Sequence, residues 1–282
     1  KFMKQISMAF GYEENLPEFE QDMERVKNAL LAYAWDEESG YFGYTVQGQD
    51  GVHILRTEAG ENYNKGVDGV TPLIAGICSK EQEKQLLKHL KSPEELWSPV
   101  GISTVDMSAS YYYDNGYWNG SVWCPYQYFL WKAMLDIGEG QFAFDIAHRG
   151  LNSWKQEIEF SYNTFEMIQI ETERGGWFHQ FSGLSTPISI WYNAYYKRGT
   201  LTTGYDTWIE KKEISEDVDH AEIIYSTTGT HTGVLLIVMN SLYHYDVEID
   251  GKKAEFIERE KGVIEITLNR KEGVIIIYRD EK

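Results

Sequence analysis

The segment Tyr117-Trp118-Asn119-Gly120-Ser121-Val122-Trp123-Cys124-Pro125-Tyr126-Gln127-Tyr128 carries a step from turn to helix, and the rest of the chain is organised around it. Gly120 permits a tight backbone just before the step. Pro125 suits the first turn of a helix, where its missing N–H breaks no bond. A helix is therefore expected from about Ser121 to Asp136. Two indoles, Trp118 and Trp123, and two amides, Asn119 and Gln127, then project near one helix N-terminus. Aromatic planes pack on the C–H faces of pyranose rings, and amides both donate and accept, so this group suits a sugar. It also reads as a helix start with ordinary aromatic packing.

Working upstream, Pro17 to Ala34 has Phe19, Met23, Val26, Leu30 and Tyr33 at helical spacing, with charged residues on the other face. Asp36 to Gly40 is a turn cluster and Tyr41 to Tyr44 a short extended piece. Val67 to Cys78 reads as a buried helix, and Ser79 as the N-cap of another that runs to about Leu90. Residues 92–119 are turn-rich, and Asp106 and Asn115 there are candidates to line a subsite.

Downstream, Gly138-Glu139-Gly140 breaks the helix, which restarts to about Phe160. Tyr162 to Gly183, with Gly175-Gly176, is expected to be a loop, and Leu184 to Tyr196 a last helix. From Ala221 the apolar period changes to two, and about six antiparallel strands follow, separated by turns such as Asp250-Gly251 and Glu272-Gly273. The expected division is a helical domain over 1–205 and a β-domain over 206–282. Arg149 and Glu157 are expected in exposed or inter-helix pairs.

Composition narrows the functional classes. With Lys+Arg 26 against Asp+Glu 44 the formal net charge is −18, a field that repels phosphate backbones, so neither nucleic acid nor a membrane is an expected partner. No apolar run approaches the roughly 18 residues that span a bilayer, and no signal peptide is visible at Lys1-Phe2-Met3-Lys4. The absence of an initial Met suggests a processed or excised piece. Cys78 and Cys124 match no metal-ligand spacing and read as buried thiols; the histidines share no metal spacing either. No cofactor is implied by any motif. Trp 9 and Tyr 20 are high, which fits aromatic cores between helices and a sugar site equally.

The Tyr117–Gln127 segment resembles the Tyr-Trp-x-Gly-x-x-Trp-x-Pro pattern of the inverting (α/α)6-barrel glycosidases of glycoside hydrolase family 63, and is more distantly similar to the trehalase signature. Trp35-Asp36-x-x-x-Gly40-Tyr41-Phe42, Gly69-x-x-Pro72-Leu73 and Gly101-Ile102-Ser103-Thr104 occur in the same order as in those enzymes. The resemblance covers about residues 20–198. It implies a mainly α fold, about half of an (α/α) toroid, to which the period-two pattern adds a small antiparallel β-domain, expected as a β-sandwich.

In the family a Phe/Tyr-Glu-x-Tyr step carries the catalytic base, which by position makes Glu166 the base here. The implied activity is hydrolysis of an α-glucoside or related oligosaccharide with inversion. Trp118, Trp123 and Trp177 would shape the sugar subsites, and Asn119, Gln127 and Gln180 would bind hydroxyls. The chain departs from the family after Glu166, where Gln169-Ile170-Glu171-Thr172-Glu173 stands, so Glu171 is a rival base. An inverting glycosidase also needs a general acid, and no residue before Trp35 has the family's neighbours. Either the acid lies on a missing N-terminal part of the same barrel, or Asp68 or Asp114 serves, or the chain is a non-catalytic carbohydrate-binding relative. Asp68 and Asp114 read equally as an N-cap and a turn residue.

Overall fold

The computed structural model describes residues 2–114 and 116–280, and these form two compact units. The first takes the chain up to Ser98 together with Ser103–Gly120. It opens with α1 (Phe2–Phe10) and α2 (Leu16–Ala29), with Pro17 in the first turn of α2; a π-turn over Leu30–Ala34 continues α2 to the expected end. No residue of α2 is buried, and Met23, Val26 and Tyr33 are exposed, so its apolar stripe stays open.

Two short hairpins follow, β1 (Trp35–Asp36) with β2 (Tyr41–Phe42), and β3 (Thr45–Gly48) with β4 (Gly51–Ile54). Gly40 closes the first at φ 63°, a conformation that costs a side chain-bearing residue energy. The helix expected over 67–78 shrinks to α3 (Thr71–Ala75), because the Thr71 hydroxyl and N–H both turn back to the Asp68 carbonyl and Gly76 ends the helix at φ 72°. Its apolar residues Val67, Val70 and Leu73 are nonetheless buried. Ser79 caps α4 (Lys80–Leu90) as expected, in a capping box with Gln82. A short extended piece, β5 (Trp97–Ser98), ends this part.

The second unit takes Pro99–Ile102 and the chain from Ser121 onward. After β6 (Gly101–Ile102) and β7 (Ser121–Val122) come three helices, α5 (Cys124–Asp136), α6 (Gly140–Ser161) and α7 (Thr186–Tyr196). Between α6 and α7 the expected loop is instead a hairpin of β8 (Phe165–Gln169) and β9 (Gly175–His179), extended by β7 on the far side of β8. The helices share a core: Trp131 Nε1 donates to the Tyr195 hydroxyl at 3.1 Å, and Gly150 leaves room for the Trp191 ring.

Among the described residues nine strands follow, where about six were expected. They are β10 (Leu201–Thr203), β11 (Thr207–Ile214), β12 (His220–Thr227), β13 (Gly233–Val238), β14 (Tyr245–Ile249), β15 (Lys252–Lys253), β16 (Ile257–Glu260), β17 (Val263–Leu268) and β18 (Glu272–Arg279). One sheet has the order β10-β13-β17-β16 and the other β11-β12-β18-β14-β15, all pairs antiparallel. Ile223, Ile275 and Ile277 of the second sheet meet Leu235, Ile237 and Ile266 of the first in one buried cluster.

The helices and sheets of this unit are joined by buried polar groups. The Asp136 carboxylate at the end of α5 accepts from the N–H groups of Tyr205 and Asp206, at 2.9 and 2.8 Å. The expected boundary at 205/206 thus falls between β10 and β11, inside the unit. With 35% helix and 29% strand, the chain is mixed rather than mainly α. The edge strands and short hairpins lack the long alternation that marks a strand in sequence, which is why their residues read as turns. Among the described residues no helix is long and apolar enough to cross a membrane.

Candidate active site

The β7-β8-β9 sheet places Glu166. Phe165 pairs with His179 and Met167 with Gly176, so two residues of β9, Trp177 and Phe178, stand opposite the single residue Glu166. This is a β-bulge, a device that re-aims side chains. It is built by a left-handed backbone at Trp177, φ 62°, and Gln180 just beyond the strand has φ 64°. Large residues adopt this region at a cost. Glu166 is 7% exposed, whereas Trp177 and Phe178 are 57% and 65% exposed. A buried carboxylate therefore stands across from a pair of open aromatic rings. Glu171 lies in the β8–β9 turn and is exposed.

The same sheet brings Glu166 towards the start of α5. Val122 pairs with Ile168, two residues before the first residue of α5 and two after Glu166 on an antiparallel neighbour. The close approach of β9 to β8 requires Gly175, since a Cβ there would meet Phe165 Cβ at 2.7 Å.

The turn between the strands is fastened from below. Arg174 Nε donates to Glu157 Oε2 at 2.7 Å and Gly175 N–H donates to the same oxygen at 3.1 Å, while the Arg174 guanidinium lies 3.8 Å from the centroid of Phe160. Glu157 is 3% exposed and its partner lies in the β8–β9 turn, so its pair is neither of the two expected kinds, exposed or inter-helix. Burial opposes its ionisation, but the hydrogen bonds and the Arg174 charge outweigh this and hold the carboxyl below the usual glutamate range. Its place is legible in the sequence: Glu157 continues the stripe Ala143, Ala147, Gly150, Ser153 along α6, all buried. Sequence alone does not single out Phe178, because only the bulge sets it opposite Glu166.

The sequence-predicted residues divide between the units. Trp118 and Asn119 are in the first, both exposed; Trp118 packs edge-on against Tyr117, and Asn119 Nδ2 donates to the Tyr111 carbonyl at 3.0 Å. Gly120 is required there because the Tyr113 carbonyl occupies the space of its Cβ. Glu166, Trp123, Gln127, Trp177 and Gln180 are in the second. Gln180 is exposed at the end of β9, its N–H bonded to the Thr164 carbonyl at 2.8 Å. Trp123 is the N-cap of α5 and 3% exposed. Gln127 is 2% exposed, and its amide both accepts from the Ile102 N–H and donates to the Ile102 carbonyl, each at 2.8 Å. Both are therefore buried, and Gln127 spends its amide on the Ile102 backbone.

Asp68 is exposed and accepts from the Tyr44 hydroxyl at 2.7 Å; Val70, not Asp68, is the N-cap of α3. Asp114 is an exposed turn residue. Asp106 is 1% exposed and paired with Lys65 at 2.5 Å, an internal ion pair. Asn115, expected beside it, lies outside the described residues. Burial pushes the Cys78 and Cys124 thiols up to about 12, which leaves both protonated and unreactive at neutral pH. Among the described residues no group of three or more His, Cys, Asp and Glu could hold a metal ion.

Over residues 3–166 the chain matches the family model of the mannosylglycerate hydrolase MGH1-like glycoside hydrolase domain. Among solved structures it is similar to the GH63 mannosylglycerate hydrolase from Thermus thermophilus. The complex with glucose aligns at TM-score 0.52 and 21% identity, covering 66% of this chain and 43% of that one. The complex with Tris and D-glycerate aligns at 0.53 and 22%, covering 66% and 42%. The neutral trehalase of Saccharomyces cerevisiae is more distant, at TM-score 0.44 and 16% identity over 61% of this chain and 30% of that one. No curated protein matches. The chain spans less than half the length of these structures, and at such identities the likeness speaks for the fold. The family-model match takes in more than half of the chain, and on it the protein belongs to the mannosylglycerate hydrolase MGH1-like glycoside hydrolases.

Proposed function

We propose that this chain carries the catalytic base of an inverting glycoside hydrolase acting on α-glucosides or related oligosaccharides, with Glu166 deprotonating the attacking water. The observation that carries this reading is the bulge that sets buried Glu166 opposite the open rings of Trp177 and Phe178. The rival Glu171 lies exposed in the turn. Within the second unit Trp177 and Gln180 supply a ring and an amide to the sugar, and Gln127 holds the Ile102 backbone.

Inversion needs a second carboxyl about 6.5–9.5 Å from the base. Asp68 and Asp114 are both exposed, and Asp68 is bonded to Tyr44. The general acid therefore belongs to the other half of an (α/α) toroid, which would also cover the open stripe of α2. The 42–43% coverage of the related structures supports this. Exposure of both internal acid candidates favours one second reading, a non-catalytic carbohydrate-binding relative.

The test is hydrolysis of α-linked disaccharides, aryl α-glucosides and mannosylglycerate by the complete enzyme, with the other half of the toroid present and the product anomer read by NMR. Glu166→Gln should lower turnover by about 10²–10⁴-fold, the range of general-base loss, and Glu171→Gln should leave it unchanged. The reverse pattern assigns the base to Glu171. Saturable sugar binding without turnover, unaffected by Glu166→Gln, establishes the second reading.

A further inference from the structure

Between α6 and α7 lies an open cleft of about 800 Å³, within the roughly 300–1,000 Å³ of ligand sites. Leu151 and Trp154 of α6 line one wall and Ile188, Tyr192 and Tyr196 of α7 the other, with Ser185 where α7 begins. None of the residues that the sequence marks for the site around Glu166 lines it.

Ser185 is the N-cap of α7, yet its side chain makes no capping bond. It is 8% exposed, and its hydroxyl has no hydrogen-bond partner among the described residues. The Trp154 Nε1–H on the α6 wall is likewise buried without one. Buried polar groups left in this way are costly, so two of them beside one cleft call for an occupant. Further along, the Thr186 hydroxyl donates to the Gly183 carbonyl at 2.8 Å and the Ser189 hydroxyl to the Thr186 carbonyl at 2.9 Å. With their protons so engaged, these two oxygens offer the cleft lone pairs. Ser185, one bond from its backbone, turns to either role. A carboxylate could only accept here and an ammonium only donate, whereas a ligand hydroxyl does both.

Charge and shape narrow the class further. No Asp or Glu lines the cleft, although the chain carries Asp+Glu 44, and the one Lys that does, Lys155, is paired with Glu159 at 2.7 Å. The surroundings therefore favour an uncharged molecule. Tyr192 and Tyr196, one turn apart on α7, are 56% and 43% exposed, with ring centroids 5.7 Å apart and planes tilted by 30°. Two open rings in series suit the C–H faces of consecutive sugar units.

We propose that the α6–α7 cleft is a second carbohydrate site, which seats a neutral oligosaccharide along Tyr192 and Tyr196 with its hydroxyls on Ser185, Thr186 and Ser189. The site binds without breaking a bond. Glu166, Trp177, Phe178 and Gln180 do not line it, so it stands whatever the catalytic role of Glu166.

Titration of the full chain with maltotriose, cellotriose and mannotriose, followed in ¹H–¹⁵N spectra of the indole N–H groups, tests it. The Trp154 signal, identified by its loss in Trp154→Phe, should shift saturably in the millimolar range with at least one of these sugars. Ser185→Ala and Tyr192→Ala should each weaken that binding about tenfold, as the loss of one hydrogen bond or one ring contact implies. Trp177→Ala, at the bulge opposite Glu166, should leave it unchanged. The Tyr192 side chain is exposed, so its variant should fold like the wild type and decides the matter if Ser185→Ala does not fold. A Trp154 signal that moves with none of the sugars overturns the proposal. So does a titration that Trp177→Ala weakens and Tyr192→Ala does not, which would put the sugar at the bulge.

Discussion

Arg174 and Glu157 form an ion pair of 2.7 Å that joins the β8–β9 turn to the buried face of α6, so the hairpin presenting Glu166 is held at its far end by charge. The Glu157 carboxyl is held below its usual range despite its burial. A depressed carboxylate contributes stability that is present above the unfolded value of about 4.3 and is lost as pH falls through the lower folded value. Glu157→Gln should therefore melt below the wild type at pH 7, and the gap should close towards pH 3. Thermal unfolding monitored across that range checks this; a gap independent of pH would mean that the pair is not ionic.

Gly175 and Phe165 are a contact of a different kind. A Cβ at Gly175 would sit 2.7 Å from Phe165 Cβ, closer than side chains come, and the ring is 1% exposed with no room to retreat. Gly175→Ala should destabilise the second unit by about 1–3 kcal/mol, as overpacking does. Gly183→Ala, where nothing lies within 4 Å, is the matched control and should change stability little. Urea unfolding of both variants measures the difference. Equal stability in the two would show that β9 can shift away from β8.

Ser79 tests the reading of helix starts. Its hydroxyl accepts from the Gln82 N–H at 3.2 Å, and Gln82 Oε1 accepts in return from the Ser79 N–H at 2.9 Å. Ser79→Ala should cost about 1 kcal/mol in the first unit, and hydrogen exchange at the start of α4 should rise with it. Ser79→Asp should restore most of the loss, because a carboxylate serves as cap and also favours the helix N-terminus.

The same residues show what can be read from sequence and what cannot. Helices whose apolar spacing and caps are local features, such as α2, α4 and α6, lie where their sequences put them. The β8–β9 hairpin escapes such a reading because its strands are short and its pairing depends on two adjacent glycines against Phe165 and Met167, a packing relation with no local signature. The motif around Trp118 reads correctly as a turn before a helix. The facing of its side chains is not legible: Gln127 turns inward to Ile102 because the buried backbone at 101–102 would otherwise lack partners. Glu166 is located by resemblance, and its burial opposite a bulge is a tertiary fact.

Trp177 combines a strained backbone with an open ring, and the two can be separated. At φ 62° a tryptophan bears about 1 kcal/mol of backbone strain that glycine does not. Its ring is 57% exposed, so little packing is lost with it. Trp177→Gly should therefore be as stable as the wild type or slightly more so, and Trp177→Ala, which loses the ring but keeps the strain, less stable than Trp177→Gly by about 1 kcal/mol. If the ring stacks on sugar, both variants should raise KM for the glycoside by a similar factor while their stabilities differ. Should Ala and Gly prove equally stable, the bulge relaxes without the ring, and the left-handed residue is then a consequence of the indole's contacts and not the element that aims Glu166.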